Sequence, residues 1–201
     1  MNPKLNKKYS VLFSSTCRYY IITGGRGSGK SFATTVFLTL LTMSKGVRVL
    51  FTRYTMVSAL FRGIKTSSGN QTASLKSLQG ISCWILDEAE ELVDENIFDT
   101  IDLSIRDKST QNRIILILNP ATKEHWIYKR FFESRGIEAG FNGTKDDVCY
   151  IHSTYLDNKN NLSDSFLERI YSLKTNNPKK YLHKILGGWL DKAEGVIFEN
   201  W

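Results

Sequence analysis

Disulfide chemistry, a membrane span and a low-complexity tail are all missing from this sequence. Its three cysteines, Cys17, Cys83 and Cys149, are odd in number, show no CxxC spacing and stand in no His/Cys pattern of metal-ligand type. Disulfide scaffolds and zinc-stapled modules are thereby excluded, and the three read as buried thiols of a reducing compartment. The longest apolar run, Val36 to Met43, is far shorter than the ~20 residues that cross a bilayer. Lys4, Lys7 and Lys8 are followed by only a short apolar run, so no leader of secretory type is read there. The expectation is a soluble, intracellular protein with no membrane partner. No repeat or biased tract interrupts the chain, which excludes extended disorder outside its ends.

What is present is an ordinary globular composition: 201 residues, 41% hydrophobic, 12% aromatic and 23% charged. That length buries one full core and leaves little room for a second domain. The net charge of +7 favours an anionic partner, although many basic domains never touch nucleic acid. Acidic residues crowd between Asp87 and Asp102, so the remaining surface is more basic than the average.

Tyr19-Tyr20-Ile21-Ile22 is a β-rich run ending in Thr23-Gly24-Gly25, and helical spacing follows from about Lys30 to Met43, closed by Gly46. Val47-Arg48-Val49-Leu50-Phe51 then supplies a second apolar strand and completes a βαβ unit. Further strands are predicted at Ser82 to Leu86, Arg113 to Leu118 and Val148 to Ser153. Phe166, Leu167, Ile170 and Leu173 recur at helical spacing, and Pro178 opens another helix through Leu186 before Gly187-Gly188. Alternating strands and helices predict an α/β fold: a mainly parallel sheet flanked by helices. One domain is expected over residues 1–190, helical from about residue 160, with 191–201 reading as the start of a linker.

Gly24-Gly25-Arg26-Gly27-Ser28-Gly29-Lys30-Ser31 fits G-x-x-x-x-G-K-[ST] in full and lies between a strand and a helix, as phosphate binding requires. Gly24, Gly25, Gly27 and Gly29 let the loop's backbone N–H groups, that of Ser28 included, turn inward around phosphates. The helix N-terminus adds its positive end, and Lys30 brings a charge to the β- and γ-phosphates. Ser31 is placed to hold Mg²⁺. The bland alternative, a glycine-rich turn before a helix, is weakened by the flanking strand and helix.

Cys83-Trp84-Ile85-Leu86-Asp87-Glu88 is an apolar strand ending in two carboxylates, where a parallel sheet presents its ligand-binding edge. Asp87 is assigned to the magnesium site and Glu88 to polarising the water that attacks the γ-phosphate. Alone, such a pair is more often a solvated strand end; the upstream loop decides for function. Glu90, Glu91, Asp94 and Glu95 read as solvated carboxylates at a helix start. Asn119, which closes the strand Ile114 to Leu118, is either a reporter of the γ-phosphate or a turn residue. Arg26 either stabilises transition-state charge or faces solvent.

The ordered set Gly24 to Ser31, Trp84 to Glu91 and Leu118 to Lys123 resembles the ATPase domain of tailed-bacteriophage terminase large subunits. Phe51-Thr52-Arg53-Tyr54, Arg62-Gly63-Ile64-Lys65, Leu75 to Gly80, Thr154 to Asn158 and Gly187-Gly188-Trp189 extend the resemblance over nearly the whole chain. It implies a P-loop NTPase of the ASCE/RecA-like type that uses ATP and Mg²⁺. It also implies a homo-oligomeric ring on the viral portal, served by a small terminase subunit, that moves double-stranded DNA into a capsid in the host bacterium's cytoplasm. By position, Leu118 to Thr122 resembles the family's coupling motif, and Arg53 and Tyr54 lie near the nucleotide. A basic finger acting on a neighbouring subunit is implied, with Lys76, Arg106 and Arg113 as open candidates. The chain departs from the pattern where Thr55 to Arg62 follow without the family's extra helix and strand. Gly195 to Trp201 resembles the linker into a nuclease domain, so no nuclease activity is expected here.

Three other readings compete. A helicase fits Asp87-Glu88-Ala89-Glu90 but needs a second core domain. A nucleotide kinase fits the loop but needs an arginine-rich lid, and Glu133 to Asp147 holds only Arg135. A nucleotide-binding fragment with little turnover outside a ring is the third. Lys179, Lys180 and Lys184 beside Tyr181 are candidate DNA contacts, against the commoner outcome of a solvated basic face.

Overall fold

The computed structural model describes residues 5–43, 47–53 and 80–191. Expectations placed on Gly46, Tyr54, the Thr55 to Arg62 connection, Lys76 and the Gly195 to Trp201 end lie outside the described residues.

Six strands among the described residues form one sheet: β1 Tyr19–Gly24, β2 Val49–Arg53, β3 Cys83–Asp87, β4 Arg113–Leu118, β5 Gly143–Lys145 and β6 Val148–Ser153. Their spatial order is β2-β3-β4-β1-β6-β5. All neighbours run parallel except the β5–β6 pair, so the sheet is mainly parallel, as expected. The central strands are continuous apolar runs because both of their faces are covered. The antiparallel edge strand β5 went unread: Gly143-Thr144-Lys145 is short, exposed and without alternating apolar residues. The second strand begins two residues later than expected and runs through Arg53, which carries that side chain to the sheet's C-terminal edge.

Successive residues of a strand face opposite sides, and the core divides accordingly. Tyr19, Ile21, Trp84 and Leu86 join Phe98, Trp126 and Phe131 on one face. Tyr20, Ile22, Cys83 and Cys149 join Ala33 and Phe37 of the helix α2 Lys30–Thr42 on the other. All three cysteines are buried and free. Phe98 lies on α3 Glu95–Asp102, a helix capped by Asp94, and its ring centre sits 5.3 Å from Trp84 and 4.8 Å from Trp126. Asp102 at the end of that helix accepts from Tyr19 Oη at 2.7 Å and pairs with Arg18, pinning the helix under the start of β1. The one-turn helix α1 Val11–Ser14 and α4 Trp126–Phe131 complete the two layers.

The C-terminal part of the described residues holds α5 Asp164–Asn176, capped by Ser163, then α6 Pro178–Lys180. The helix opened by Pro178 does not continue as an α-helix. Tyr181–Ile185 is a π turn, in which Leu186 N donates to Tyr181 O at 3.1 Å. Tyr181 faces inward, and its hydroxyl lies 3.2 Å from that of Tyr155 in a small third core. Lys179, Lys180 and Lys184 are exposed, but Tyr181 is therefore a core residue and not the aromatic member of a basic patch.

Phe98 touches Trp84, Trp126 and Phe131 from a fully buried position. Phe98→Ala is expected to cost about 3–5 kcal/mol, read as a lowered midpoint in urea unfolding followed by near-UV circular dichroism.

Candidate nucleotide site

The loop after β1 is held from behind by main chain. A Cβ on Gly25 would lie 1.8 Å from the carbonyl oxygen of Ile185, and one on Gly24 would lie 1.9 Å from that of Ser153. Arg26 N donates to Lys184 O at 2.9 Å, and Asn158 Nδ2 donates to Gly27 O at 2.8 Å. From the N-terminal turn, buried Tyr9 reaches Ser28 O at 3.4 Å and Ser153 Oγ at 2.5 Å. Gly29 caps α2 at φ +81°, a left-handed backbone that suits glycine. The expected glycines, Ser28, Lys30 and Ser31 thus share one curved segment at the positive end of a 13-residue helix.

Lys30 is buried, and its Nζ donates to Gly24 O at 2.7 Å, Gly25 O at 3.1 Å, Ser28 Oγ at 3.3 Å and Asn119 Oδ1 at 3.1 Å. Burial disfavours its charge and lowers its pKa to about 8, while Glu90 and Asp87 pull the other way. A phosphate brought to the loop would supply negative charge that favours the ammonium.

Because β4 inserts between β1 and β3, the residue after β4 stands between the loop and the β3 carboxylates. Asp87 is buried, and Arg53 from the neighbouring strand donates to its Oδ2 through Nη2 at 2.5 Å and Nε at 3.1 Å. Arg53 Nε also lies 3.5 Å from Glu88 Oε2. Arg53 was expected near the nucleotide; its pairing with Asp87 follows from strand order, which sequence alone does not display. Glu88 adopts φ 55°, ψ 47°, a left-handed backbone that costs a non-glycine residue about 1–2 kcal/mol and that turns up at functional sites. Arg26, Ser31, Arg53, Asp87, Glu88 and Asn119 all line one cleft of about 400 Å³.

The reading of Glu90 as a solvated helix-start carboxylate is overturned. Ala89–Glu91 is a 3₁₀ turn, and Glu90 Oε1 accepts from Asn119 Nδ2 at 2.9 Å while its Oε2 is shielded and unpartnered. Desolvation raises its pKa against the pull of Asn119 and Lys30. Glu91 and Asp94 are exposed, Asp94 capping α3, and Glu95 pairs with Arg130. The missed signal was the tight turn after β3, which folds Glu90 back under the sheet edge. Of the candidate fingers, Arg106 is exposed. Arg113 opens β4 and so lies roughly 20 Å of strand away from Asn119.

The donor set fits the magnesium that the motif implies. Ser31, exposed in the first turn of α2, and the Asp87 carboxylate face the same cleft, and Mg²⁺ keeps most of its waters and takes one or two protein oxygens. Arg53 pairs with the Asp87 carboxylate, whose charge is available to a cation at this edge.

A family model described as phage terminase large subunit matches residues 37–188. The match begins beyond the Gly24 to Ser31 loop, which rests on its own pattern and geometry. Among solved structures, the chain is similar to the large terminase of a thermophilic bacteriophage, with 13% identity, a TM-score of 0.66 and coverage of 93% of this chain and 54% of that one. A complex of the same phage's large terminase with ATP-gamma-S gives 16% identity, a TM-score of 0.62 and coverage of 93% and 53%. A mutant large terminase ATPase domain from Thermus phage P74-26 gives 17% identity, a TM-score of 0.64 and coverage of 93% and 95%. At such identities the likeness establishes the fold, and the chain spans about half the length of the first two relatives. No curated protein matches it.

The lowered Lys30 pKa has a thermodynamic consequence. Between about 8 and the ordinary 10.5, the unfolded chain binds the proton that the folded chain has lost, so stability rises with pH across that window. Relative to Lys30→Met, the wild type is expected to gain on the order of 1–3 kcal/mol from pH 8 to 10.5, measured by paired urea titrations. A constant difference would refute the burial-depressed lysine.

Proposed function

The chain belongs to the phage terminase large subunit family, and from that premise we propose that it is a Mg²⁺-dependent ATPase whose hydrolysis drives double-stranded DNA into a viral capsid. The observation that carries the reading is the convergence of Lys30, Asp87, Glu88 and Asn119 on one cleft at the C-terminal edge of a parallel sheet. ATP is the substrate. The backbone N–H groups of Gly25 to Lys30 hold its phosphates, Lys30 meets the β- and γ-phosphates, and Ser31 and Asp87 hold the metal. Bound there, Mg²⁺ neutralises phosphate charge and fixes the phosphates for in-line attack.

Glu88 accepts a proton from the attacking water as its oxygen bonds to the γ-phosphorus and the bond to the ADP oxygen breaks, giving ADP and inorganic phosphate. Arg26, exposed at the cleft mouth, supplies a guanidinium to the charge that develops on the transferred group. A metal held by Asp87 would compete with Arg53 for that carboxylate, and Arg53 Nε also lies 3.5 Å from Glu88 Oε2. The family supports a ring on the portal, a small terminase subunit as partner, and work in the cytoplasm of an infected bacterium; none of the described helices is long and apolar enough to cross a membrane.

Hydrolysis of ATP measured beside Glu88→Gln, with a direct nucleotide titration and with and without duplex DNA, tests the reading. Glu88→Gln is expected to lower kcat by about 10²–10⁴-fold, the range for loss of a general base, with nucleotide affinity within a few-fold of wild type. Glu88→Gly is expected to be equally inactive yet to unfold no earlier, because relief of the left-handed strain, roughly 1 kcal/mol, offsets the entropy glycine adds to the unfolded chain. Turnover that survives Glu88→Gln would remove the assignment, and turnover indifferent to duplex DNA would count against a packaging motor.

A further inference from the structure

Asn119 sits between two partners that leave its orientation no freedom. Lys30 only donates, so the Asn119 amide oxygen must face it, and Glu90 as a carboxylate only accepts, so the amide nitrogen must face that. The two bonds, at 3.1 Å and 2.9 Å, make a chain Lys30–Asn119–Glu90 that runs from the loop across β4 to the turn after β3. Without Glu90 the amide could rotate, and its NH₂ would then turn toward an ammonium that cannot accept from it.

Burial makes a carboxylate at this position costly, and Asn119 and Lys30 offset that cost only in part. The Oε2 of Glu90 is shielded and makes no hydrogen bond, and a buried, unpaired polar atom is costly. Desolvation pushes the Glu90 pKa upward, the mark of a group kept where folding alone would prefer a neutral one. The segment that Asn119 begins is also tied onward: Leu190 N donates to Ala121 O at 2.9 Å and Lys123 N donates to Leu190 O at 2.8 Å.

We propose that Glu90 is a positioning residue of the nucleotide site: by accepting from Asn119 it turns the amide oxygen toward Lys30 and holds the lysine ammonium where a terminal phosphate meets it. The proposal rests on the nucleotide reading above and assigns Glu90 no contact with substrate. Its orienting effect passes through Asn119 and adds to the direct pull of its charge on Lys30, so it belongs to recognition of the third phosphate and not to proton transfer.

The test compares the affinities of the chain for Mg-ATP-gamma-S and Mg-ADP by calorimetric titration, in the wild type, Glu90→Ala, Glu90→Gln, Asn119→Ala and the Glu90→Ala/Asn119→Ala double variant. Thermal unfolding of each variant is followed in parallel. Glu90→Ala is expected to reduce the preference for the triphosphate about tenfold, the scale of one charge-assisted hydrogen bond. Glu90→Gln, whose amide oxygen still accepts from Asn119, is expected to restore it to within about threefold of wild type. In the double variant Glu90→Ala should add little to the loss caused by Asn119→Ala, because the two act largely as one unit. A preference unchanged in Glu90→Ala, multiplicative losses in the double variant, or a Glu90→Gln no better than Glu90→Ala would each overturn the proposal while leaving the nucleotide site intact. A wild type that bound neither nucleotide would overturn the site reading, and the proposal with it.

Discussion

The architecture turns on the close approach of main chain to main chain behind the phosphate loop. At Gly25 the Ile185 carbonyl leaves no space for a Cβ, and at Gly24 the Ser153 carbonyl does the same. Gly187, at φ +71°, packs its own backbone against both glycines. Such contacts demand that the π turn Tyr181–Ile185 and the end of β6 hold their positions to within a fraction of an ångström, since packed interiors tolerate little displacement. The helical C-terminal part is thereby joined to the loop as its rear wall. Its small core of Tyr155, Leu167, Ile170, Tyr181 and Ile185 gives that wall rigidity.

In front of the wall, the site sets the paired cations Lys30 and Arg53 against Asp87, Glu88 and Glu90, with Arg26 at the cleft mouth. Lys30 is wrapped in carbonyl oxygens and the Asn119 amide, while Arg53 covers Asp87 and reaches Glu88. Buried charge is tolerated only when paired or hydrogen-bonded, and Lys30, Asp87 and Glu90 each have such a partner distant in sequence. A magnesium ion and a triphosphate bring one positive centre and several negative oxygens, so both cations have a new partner to move toward. The backbone strain at Glu88 places its carboxylate at the edge of the cleft and not along the line of β3.

Much of this was legible in advance because the signals were local. The run Tyr19 to Ser31 carries strand, loop and helix in unbroken order, and Trp84 to Glu88 announces a buried strand ending in acids. Asp94 was correctly read with a helix start, whereas Glu90 in the same acidic run was not. The two differ only in what lies opposite them once the chain has folded. Tyr181 was similarly misplaced, because neighbouring lysines suggested a surface while its ring packs with Tyr155 in the third core. Gly143 to Lys145 pairs with β6 through backbone bonds that leave no trace in side-chain pattern.

The sequence by itself determined the kind of chemistry: a glycine loop with its lysine and serine, a strand ending in two carboxylates, and a mainly parallel α/β fold. Those features depend on residue type and short spacing, and such information survives in a linear string. Tertiary structure alone decided the partners. The placement of β4 between β1 and β3 brings Asn119 to Lys30, the pairing of β2 with β3 sets Arg53 on Asp87, and the turn after β3 folds Glu90 beneath Asn119. Each joins residues from separate segments, Arg53 and Asp87 being 34 positions apart and Lys30 and Asn119 89 apart. Strand order and side-chain packing carry that information, and neither is written in local periodicity.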